Sequence, residues 1–162
     1  MRIRRALLVV VALGALAVAA SAMAQPAHSA SATVVTTKKT SFGWILVTGS
    51  GKTLYLDARD KVGHPACKGG CLSIWPPLKA SGTVKVAGRA KAADLGSIKI
   101  AGGIKQVTYN KHPLYTFASA AKGTSGEGVN HFYVVSPSGN KITTKPTTTT
   151  TGTTTTSTGY GY

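Results

Sequence analysis

The chain has 162 residues, with 19 Lys and Arg against 4 Asp and Glu, so its formal net charge is +15. So few carboxylates leave little material for acid chemistry that relies on paired carboxyl groups. The stretch with a folded-protein pattern is about 100 residues long, which supports one hydrophobic core and not two.

The N-terminus has the three parts of an export signal. Arg2, Arg4 and Arg5 form a positive region, and residues 6–20 contain only Ala, Leu, Val and Gly. Residues 22–24 (Ala-Met-Ala) have the small-x-small form of a cleavage site. The apolar run is short of the roughly 20 residues that span a bilayer. We therefore predict a signal peptide over residues 1–24.

The mature chain is expected to begin near Gln25 and to be soluble and extracytoplasmic, secreted or held at the cell envelope. No cysteine lies near the cleavage site, so the pattern for lipid attachment is missing. Removing the three leader arginines lowers the net charge from +15 to +12. Apart from the pair Lys38-Lys39, the lysines are scattered singly and form no run. This spacing suits solubility and attraction to anionic cell-wall polymers or membrane surfaces equally well. Specific nucleic-acid binding is not predicted, because aromatic residues do not interleave with basic clusters.

Residues 42–143 show short β-type runs separated by Gly, Pro, Asn and Ser, and no segment keeps a helical period. The predicted strands cover residues 44–47, 53–56, 84–86, 98–100, 106–109, 114–117 and 131–135. Helical turns are predicted at residues 71–75 and 90–95, the second closed by Gly96. We therefore predict an all-β fold, a small single domain of short antiparallel strands. Residues 25–41, ahead of it, are expected to add one edge strand.

One pattern occurs twice along this domain. The Val-Thr and Leu-Tyr pairs at residues 47–48 and 54–55 recur 60 positions later, at residues 107–108 and 114–115. An aromatic-led apolar run follows in each copy, at residues 74–78 and 132–135. Repeat one is predicted at about residues 42–86 and repeat two at about residues 96–143. Because neither copy buries its apolar face alone, we expect the two to pack as one domain.

The C-terminal segment, residues 144–162, is rich in threonine and has no buried-type pattern. Such a composition does not offset the entropy of ordering the chain, so we predict a disordered tail. Threonine-rich exported tails either carry O-linked sugar, thread through a cell wall or are inert.

Cys67 and Cys71 are the only cysteines, and an exported chain favours a disulfide between them. Gly69 and Gly70 supply the freedom that a tight loop needs. Two alternatives use the same residues: redox exchange by the two cysteines, and a metal site that adds His64. The metal alternative lacks an adjacent fourth ligand for a structural zinc site.

No catalytic constellation emerges, and no cofactor is predicted. Gly51, Lys52 and Thr53 end like a phosphate-binding loop, but the required earlier glycine is absent and a strand follows. Asp57 and Asp60 lie at a strand end, where turn and solvation roles suffice. We therefore predict a non-enzymatic protein, with a hydrolase using these two aspartates as a poorer alternative.

Ten residues occur in a recognisable order within residues 42–140: Tyr55, Asp60, Cys67, Cys71, Trp75, Pro76, Pro77, Tyr109, Tyr115 and Phe117. Through them the chain resembles the bacterial secreted-repeat lipoprotein family, predicted lipoproteins with Tyr-x-(Phe/Trp/Tyr)-x-x-Asp motifs. The family implies no established reaction. In the first copy Asp57 replaces the motif's second aromatic residue, and in the second copy Ala120 replaces its aspartate.

These observations predict an exported binding or structural protein that contacts anionic envelope polymers through its basic surface. The alternative function is a redox or metal-handling extracytoplasmic factor that uses Cys67, Cys71 and His64. The sequence does not identify the ligand or the oligomeric state.

Overall fold

The structure is a computed structural model that describes residues 32–119 and 123–143. The predicted signal peptide (1–24), the threonine-rich segment (144–162) and Ala120 lie outside the described residues. Within them the chain forms short strands, one helix and three 3-10 turns, so the predicted all-β class is confirmed.

The strands are short and widely spaced along the chain. They are β1 Thr33–Thr40, β2 Gly43–Thr48, β3 Tyr55–Asp57, β4 Val84–Val86, β5 Leu95–Lys99, β6 Lys105–Tyr109, β7 His112–Pro113 and β8 Phe132–Val134. The helix α1 is Cys71–Ile74, and the 3-10 turns are Ala92–Asp94, Ala101–Gly103 and Val129–His131.

Three small sheets hold these strands, in the orders β2-β1-β4, β3-β8 and β5-β6-β7. β1 pairs antiparallel with β2 and parallel with β4. The strand predicted before residue 42 therefore occurs, but β1 lies in the middle of its sheet and the predicted edge position was wrong. Val35 of β1 is fully buried, which a solvent-exposed lead-in segment would not require.

Most predicted strands occur, with two differences. β5 begins at Leu95, earlier than the predicted 98–100, and runs through Gly96 instead of stopping a helix there. The predicted strand over 114–117 is reduced to single bridges at Tyr115, because it runs beside Pro76 and Pro77, which have no N–H to continue a ladder.

The two copies form matching hairpins. Leu54 donates its N–H to the carbonyl of Leu46 at 3.0 Å, and Leu114 donates to Val107, also at 3.0 Å. The second connection is one residue shorter than the first by these bonds. Its turn residues Asn110 and Lys111 both have positive φ, 45° and 68°, as a tight hairpin turn requires.

Each hairpin pairs with the aromatic-led run of the other copy. The N–H of Leu46 donates to the carbonyl of Val135 at 2.7 Å, and the N–H of Val107 donates to that of Leu78 at 2.8 Å. The copies are thus interleaved rather than placed side by side. Each hairpin therefore takes part of its main-chain hydrogen bonding from the other copy.

An approximate two-fold axis passes between Tyr55 and Tyr115. These two residues occupy equivalent positions, and their main chains hydrogen-bond to each other in both directions, at 3.0 and 2.9 Å. Tyr55 also pairs with Val134 of the second copy, and Tyr115 with Pro77 of the first. This reciprocal pairing supports the predicted packing of two repeats into one domain.

The core consists of two groups of side chains, and each draws on both copies. The aliphatic cluster contains Val35, Leu46, Leu54, Leu56, Val107, Tyr109, Leu114 and Val135. The aromatic cluster contains Ile45, Val47, Tyr55, Cys67, Trp75, Tyr115, Phe132 and Val134. Adjacent residues of an extended chain point to opposite sides, so each Leu-Tyr pair sends its leucine to one cluster and its tyrosine to the other.

Candidate functional site

The aromatic cluster places Trp75 at its centre. Trp75 and Phe132 lead the two aromatic runs, and their rings stack at 3.8 Å between centroids with 6° between planes. Phe117 stacks on Trp75 at 4.6 Å, and Tyr55 meets its edge at 5.2 Å. Trp75 is 1% exposed, so its ring is a packing element and not a platform on which a sugar could stack.

Asp60, the motif aspartate of the first copy, reaches across the axis to the second copy. Its Oδ1 accepts the Ala66 N–H at 2.7 Å and the Tyr115 hydroxyl at 3.4 Å, a long hydrogen bond. Its Oδ2 is buried without a partner among the described residues. Burial, with a smaller contribution from the charge of Asp57, raises the pKa of Asp60 to about 6.

The equivalent contact in the second copy contains no carboxylate. The hydroxyl of Tyr55 accepts the N–H of Gly126 at 3.2 Å. Gly126 lies 60 positions after Ala66, whose N–H binds Asp60 in the first copy. The amide that meets an aspartate in one half therefore meets the tyrosine directly in the other half.

Asp57 occupies the place where the motif expects an aromatic residue, and it forms a local ion pair. Arg59 donates Nε to Oδ1 at 2.9 Å and Nη2 to Oδ2 at 2.7 Å, and its main-chain N–H also donates to Oδ1 at 3.0 Å. Asp57 is 1% exposed. A cleft of about 240 Å³ brings Asp57 and Asp60 close to His112 and Lys141, but both oxygens of Asp57 are already taken by Arg59.

The other motif residues join the chain to itself. The carbonyl of Pro76 accepts the Thr116 N–H at 2.9 Å. Tyr109 donates its hydroxyl to the carbonyl of Pro137 at 2.9 Å and accepts the Lys91 N–H at 2.7 Å. These contacts fix loops onto the aliphatic cluster, so the structure gives Pro76 and Tyr109 packing and hydrogen-bonding roles.

Cys67 and Cys71 are bonded to each other, with their Cα atoms 5.4 Å apart. The bond closes the turn that leads into α1, and Cys67 is buried in the aromatic cluster. His64 is exposed, and its main chain forms an isolated β-bridge with that of Lys61. In the part of the chain that the structure describes, no group of three or more His, Cys, Asp or Glu is placed to hold a metal ion. The redox and metal alternatives stay predictions, which an assay for free thiols and melting with a chelator test.

Besides Arg59, two residues with defined roles, Glu127 and Gly126, were missed in the sequence. Glu127 accepts the N–H of Val134, and burial raises the pKa of its carboxyl group. Gly126 has no space for a side chain, since an added Cβ would lie 2.7 Å from Cη2 of Trp75. The 60-residue offset from Ala66 was the signal that could have found Gly126. Nothing in the sequence pattern marks Glu127.

The exterior of the described residues is positively charged. Every lysine there is exposed: Lys38, Lys39, Lys52, Lys61, Lys68, Lys79, Lys85, Lys91, Lys99, Lys105, Lys111 and Lys141. None of the four acidic residues is: Asp57 is buried, and Asp60, Asp94 and Glu127 are half-buried. The ion pair of Arg59 with Asp57 is the one salt bridge found among these residues.

The fold defines a small all-β domain built from two interleaved copies of one unit. Residues 36–79 match the family described as a secreted repeat of unknown function. The match confirms the resemblance predicted from the sequence and covers most of the first copy. No curated protein and no solved structure matches the chain. Over residues 32–119 and 123–143, no helix has the length and apolar character to cross a membrane.

Proposed function

We propose that this protein is an exported, non-enzymatic binding protein that attaches to anionic polymers of the cell envelope through its positively charged exterior. The observation that carries the proposal is the sorting of charge. Every lysine of the described residues is exposed, whereas no carboxylate is.

This sorting leaves the positive charge uncompensated at the surface. Asp57 is neutralised by Arg59, and Asp60 and Glu127 accept main-chain N–H groups inside the domain. A surface with one sign of charge attracts polymers of the opposite sign over a distance set by salt. The family is described as secreted, and a secreted protein is exposed to envelope polymers.

The motif residues and the buried carboxyl groups are occupied by packing and hydrogen bonds within the domain, which favours a binding role over catalysis. The aromatic residues of the motif pack against one another, and the raised-pKa carboxyl groups of Asp60 and Glu127 bind main-chain N–H groups. The hydrolase alternative requires Asp57 and Asp60, but Asp57 accepts two hydrogen bonds from the side chain of Arg59. Replacing either aspartate and finding that an activity disappears would restore that alternative.

The test is sedimentation of the mature protein, residues 25–162, with isolated cell envelopes. It is run at about 0.01 M and about 1 M salt, where the screening length falls from about 30 Å to about 3 Å. A version that ends at residue 143 is run beside it. Retention that is lost at high salt in both versions supports the proposal. Salt-resistant retention that needs residues 144–162 assigns binding to the threonine-rich segment, and no retention at either salt rejects envelope binding.

A further inference from the structure

A cleft beside the disulfide turn collects positive charge from separate parts of the chain. It has a volume of about 350 Å³ and is lined by Arg59, Lys68, Cys71, Trp75 and His131, among others. Arg59 follows β3, Lys68 lies in the disulfide loop, and His131 precedes β8. Because Arg59 and Lys68 belong to the first copy and His131 to the second, both copies are needed to build the cleft. No acidic side chain lines it.

Arg59 is held in one orientation at this cleft. Its Nε and Nη2 groups are fixed by the two oxygens of Asp57, whose side chain is 0% exposed. The guanidinium side chain itself remains 47% exposed, and Nη1 takes no part in the ion pair. A guanidinium group that is already oriented loses less side-chain entropy when it binds an oxyanion.

Trp75 supplies the second observation. Its indole N–H is buried and has no hydrogen-bond partner among the described residues. Leaving such a donor without an acceptor is destabilising, and unsatisfied buried groups of this kind in native proteins call for an explanation. Phe117 and Phe132 stack on its ring, and the far end of its six-membered ring faces Gly126. Trp75 is also one of the residues that line the cleft.

We propose that this cleft binds a phosphoryl group. Lys68 supplies an uncompensated positive charge, Arg59 offers the Nη1 group that its ion pair with Asp57 leaves free, and the indole N–H of Trp75 donates a hydrogen bond to one phosphoryl oxygen. The donors lie on different segments around the cleft, which suits a tetrahedral group with several oxygens better than a planar carboxylate that Arg59 alone could cover. The inference rests on the proposed function and sharpens it, because it adds one specific binding site to a generally positive surface.

The test follows the two indole N–H resonances of the ¹⁵N-labelled mature protein, since the chain has two tryptophans. Inorganic phosphate is titrated against chloride at constant ionic strength. The Trp75 resonance is expected to shift and saturate. Trp44, which lies under the guanidinium of Arg89 at 4.2 Å, serves as the internal control and should move little.

Lys68→Gln and Lys99→Gln form the matched pair of variants. Both lysines are exposed, but Lys68 lines the cleft and Lys99 does not. We expect Lys68→Gln to weaken phosphate binding about threefold, the size of a partly exposed charge contact, and Lys99→Gln to leave it unchanged. A Trp75 resonance that does not move, moves in parallel with Trp44, or responds equally in both variants would overturn the phosphoryl site.

The source of the phosphoryl group is resolved by two further arms. Soluble poly(glycerol phosphate) represents wall polymers, and phosphatidylglycerol vesicles represent lipid head groups. Selective movement of Trp75 in either arm supports the site and names the source. If phosphate leaves Trp75 unmoved while envelopes still retain the protein at low salt, the site is wrong and the general charge attraction stands. If envelope retention is also missing, the proposed function fails as well.

Discussion

Tyr55 and Tyr115 lie on either side of the approximate two-fold axis, and their hydroxyl groups have different partners. The hydroxyl of Tyr115 meets the carboxylate of Asp60, whereas the hydroxyl of Tyr55 meets the amide of Gly126. The main-chain pairing around both tyrosines is nevertheless reciprocal. The comparison teaches that the motif aspartate works between the copies: it joins the tyrosine of the other copy to the loop at Ala66. A backbone amide performs the same task where the aspartate is missing.

The largest effect is expected from the centre that both halves share. Trp75→Ala removes a fully buried ring that contacts Tyr55, Phe117 and Phe132, and should lower the free energy of unfolding by about 3–5 kcal/mol. Trp44→Ala is the control, because Trp44 is half-buried and its ring lies under the guanidinium of Arg89; the change should cost about 1 kcal/mol. Urea unfolding measures both. Similar losses in the two variants would contradict a core centred on Trp75.

The disulfide distinguishes the first copy from the second. Replacing Cys67 and Cys71 with serine should lower the free energy of unfolding by about 2 kcal/mol, because the unfolded chain regains the freedom of the small loop. Envelope retention at low salt should not change. A reductant should shift the midpoint of the wild type and leave that of the double variant unmoved. Loss of retention in the double variant would instead show that the disulfide turn takes part in envelope binding.

Gly126 and Ala66 occupy equivalent places on the two sides of the axis. Gly126→Ala puts a Cβ at 2.7 Å from Trp75 and 3.0 Å from Tyr55, so it should destabilise the fold by about 1–2 kcal/mol through overpacking. Ala66→Gly, at an exposed position, should cost less than about 1 kcal/mol. Thermal melting compares the two. A Gly126→Ala variant as stable as the wild type would show that the two sides do not differ as described.

Asp60 should give stability a pH dependence that the equivalent Tyr55–Gly126 contact, which has no carboxyl group, does not give. Burial raises its pKa to about 6, so folding favours its protonated form. The stabilising contribution is fully present below about pH 4 and is lost as the pH rises through about 6. Relative to Asp60→Asn, the wild type should lose about 1 kcal/mol between those limits, a small value because solvent screens the half-exposed carboxylate. Parallel pH profiles of unfolding for the two proteins would remove this role of Asp60.

The sequence was enough to predict the local structure and the class. Alternating residues in 84–86 and 106–109 marked real strands, and Asn110 took the positive φ expected of its hairpin turn. The exchange of aromatic runs between the copies was not predictable, because a repeat shows which segments are alike but not which copy each pairs with. The central position of β1 was not predictable for a similar reason, because its pairing with β4 joins positions about 50 residues apart.

The candidate site was predicted less well than the fold. The motif identified Tyr55, Asp60 and Tyr115, but their mutual arrangement depends on pairing across the axis. The bidentate pair of Arg59 with Asp57 and the basic cleft beside Trp75 arise from side-chain orientations that no spacing rule specifies. The scattered lysines were visible in the sequence, but the burial of all four carboxylates, in whole or in part, was not.

The central claim is that the exposed lysines hold the protein on anionic envelope material, and one comparison tests it most directly. Lys38, Lys39 and Lys85, exposed on the β2-β1-β4 sheet, are changed together to glutamine in one variant and to arginine in another. Sedimentation with isolated envelopes at low salt should show retention reduced for the glutamine variant and preserved for the arginine variant. Equal retention of the wild type and both variants would contradict the claim.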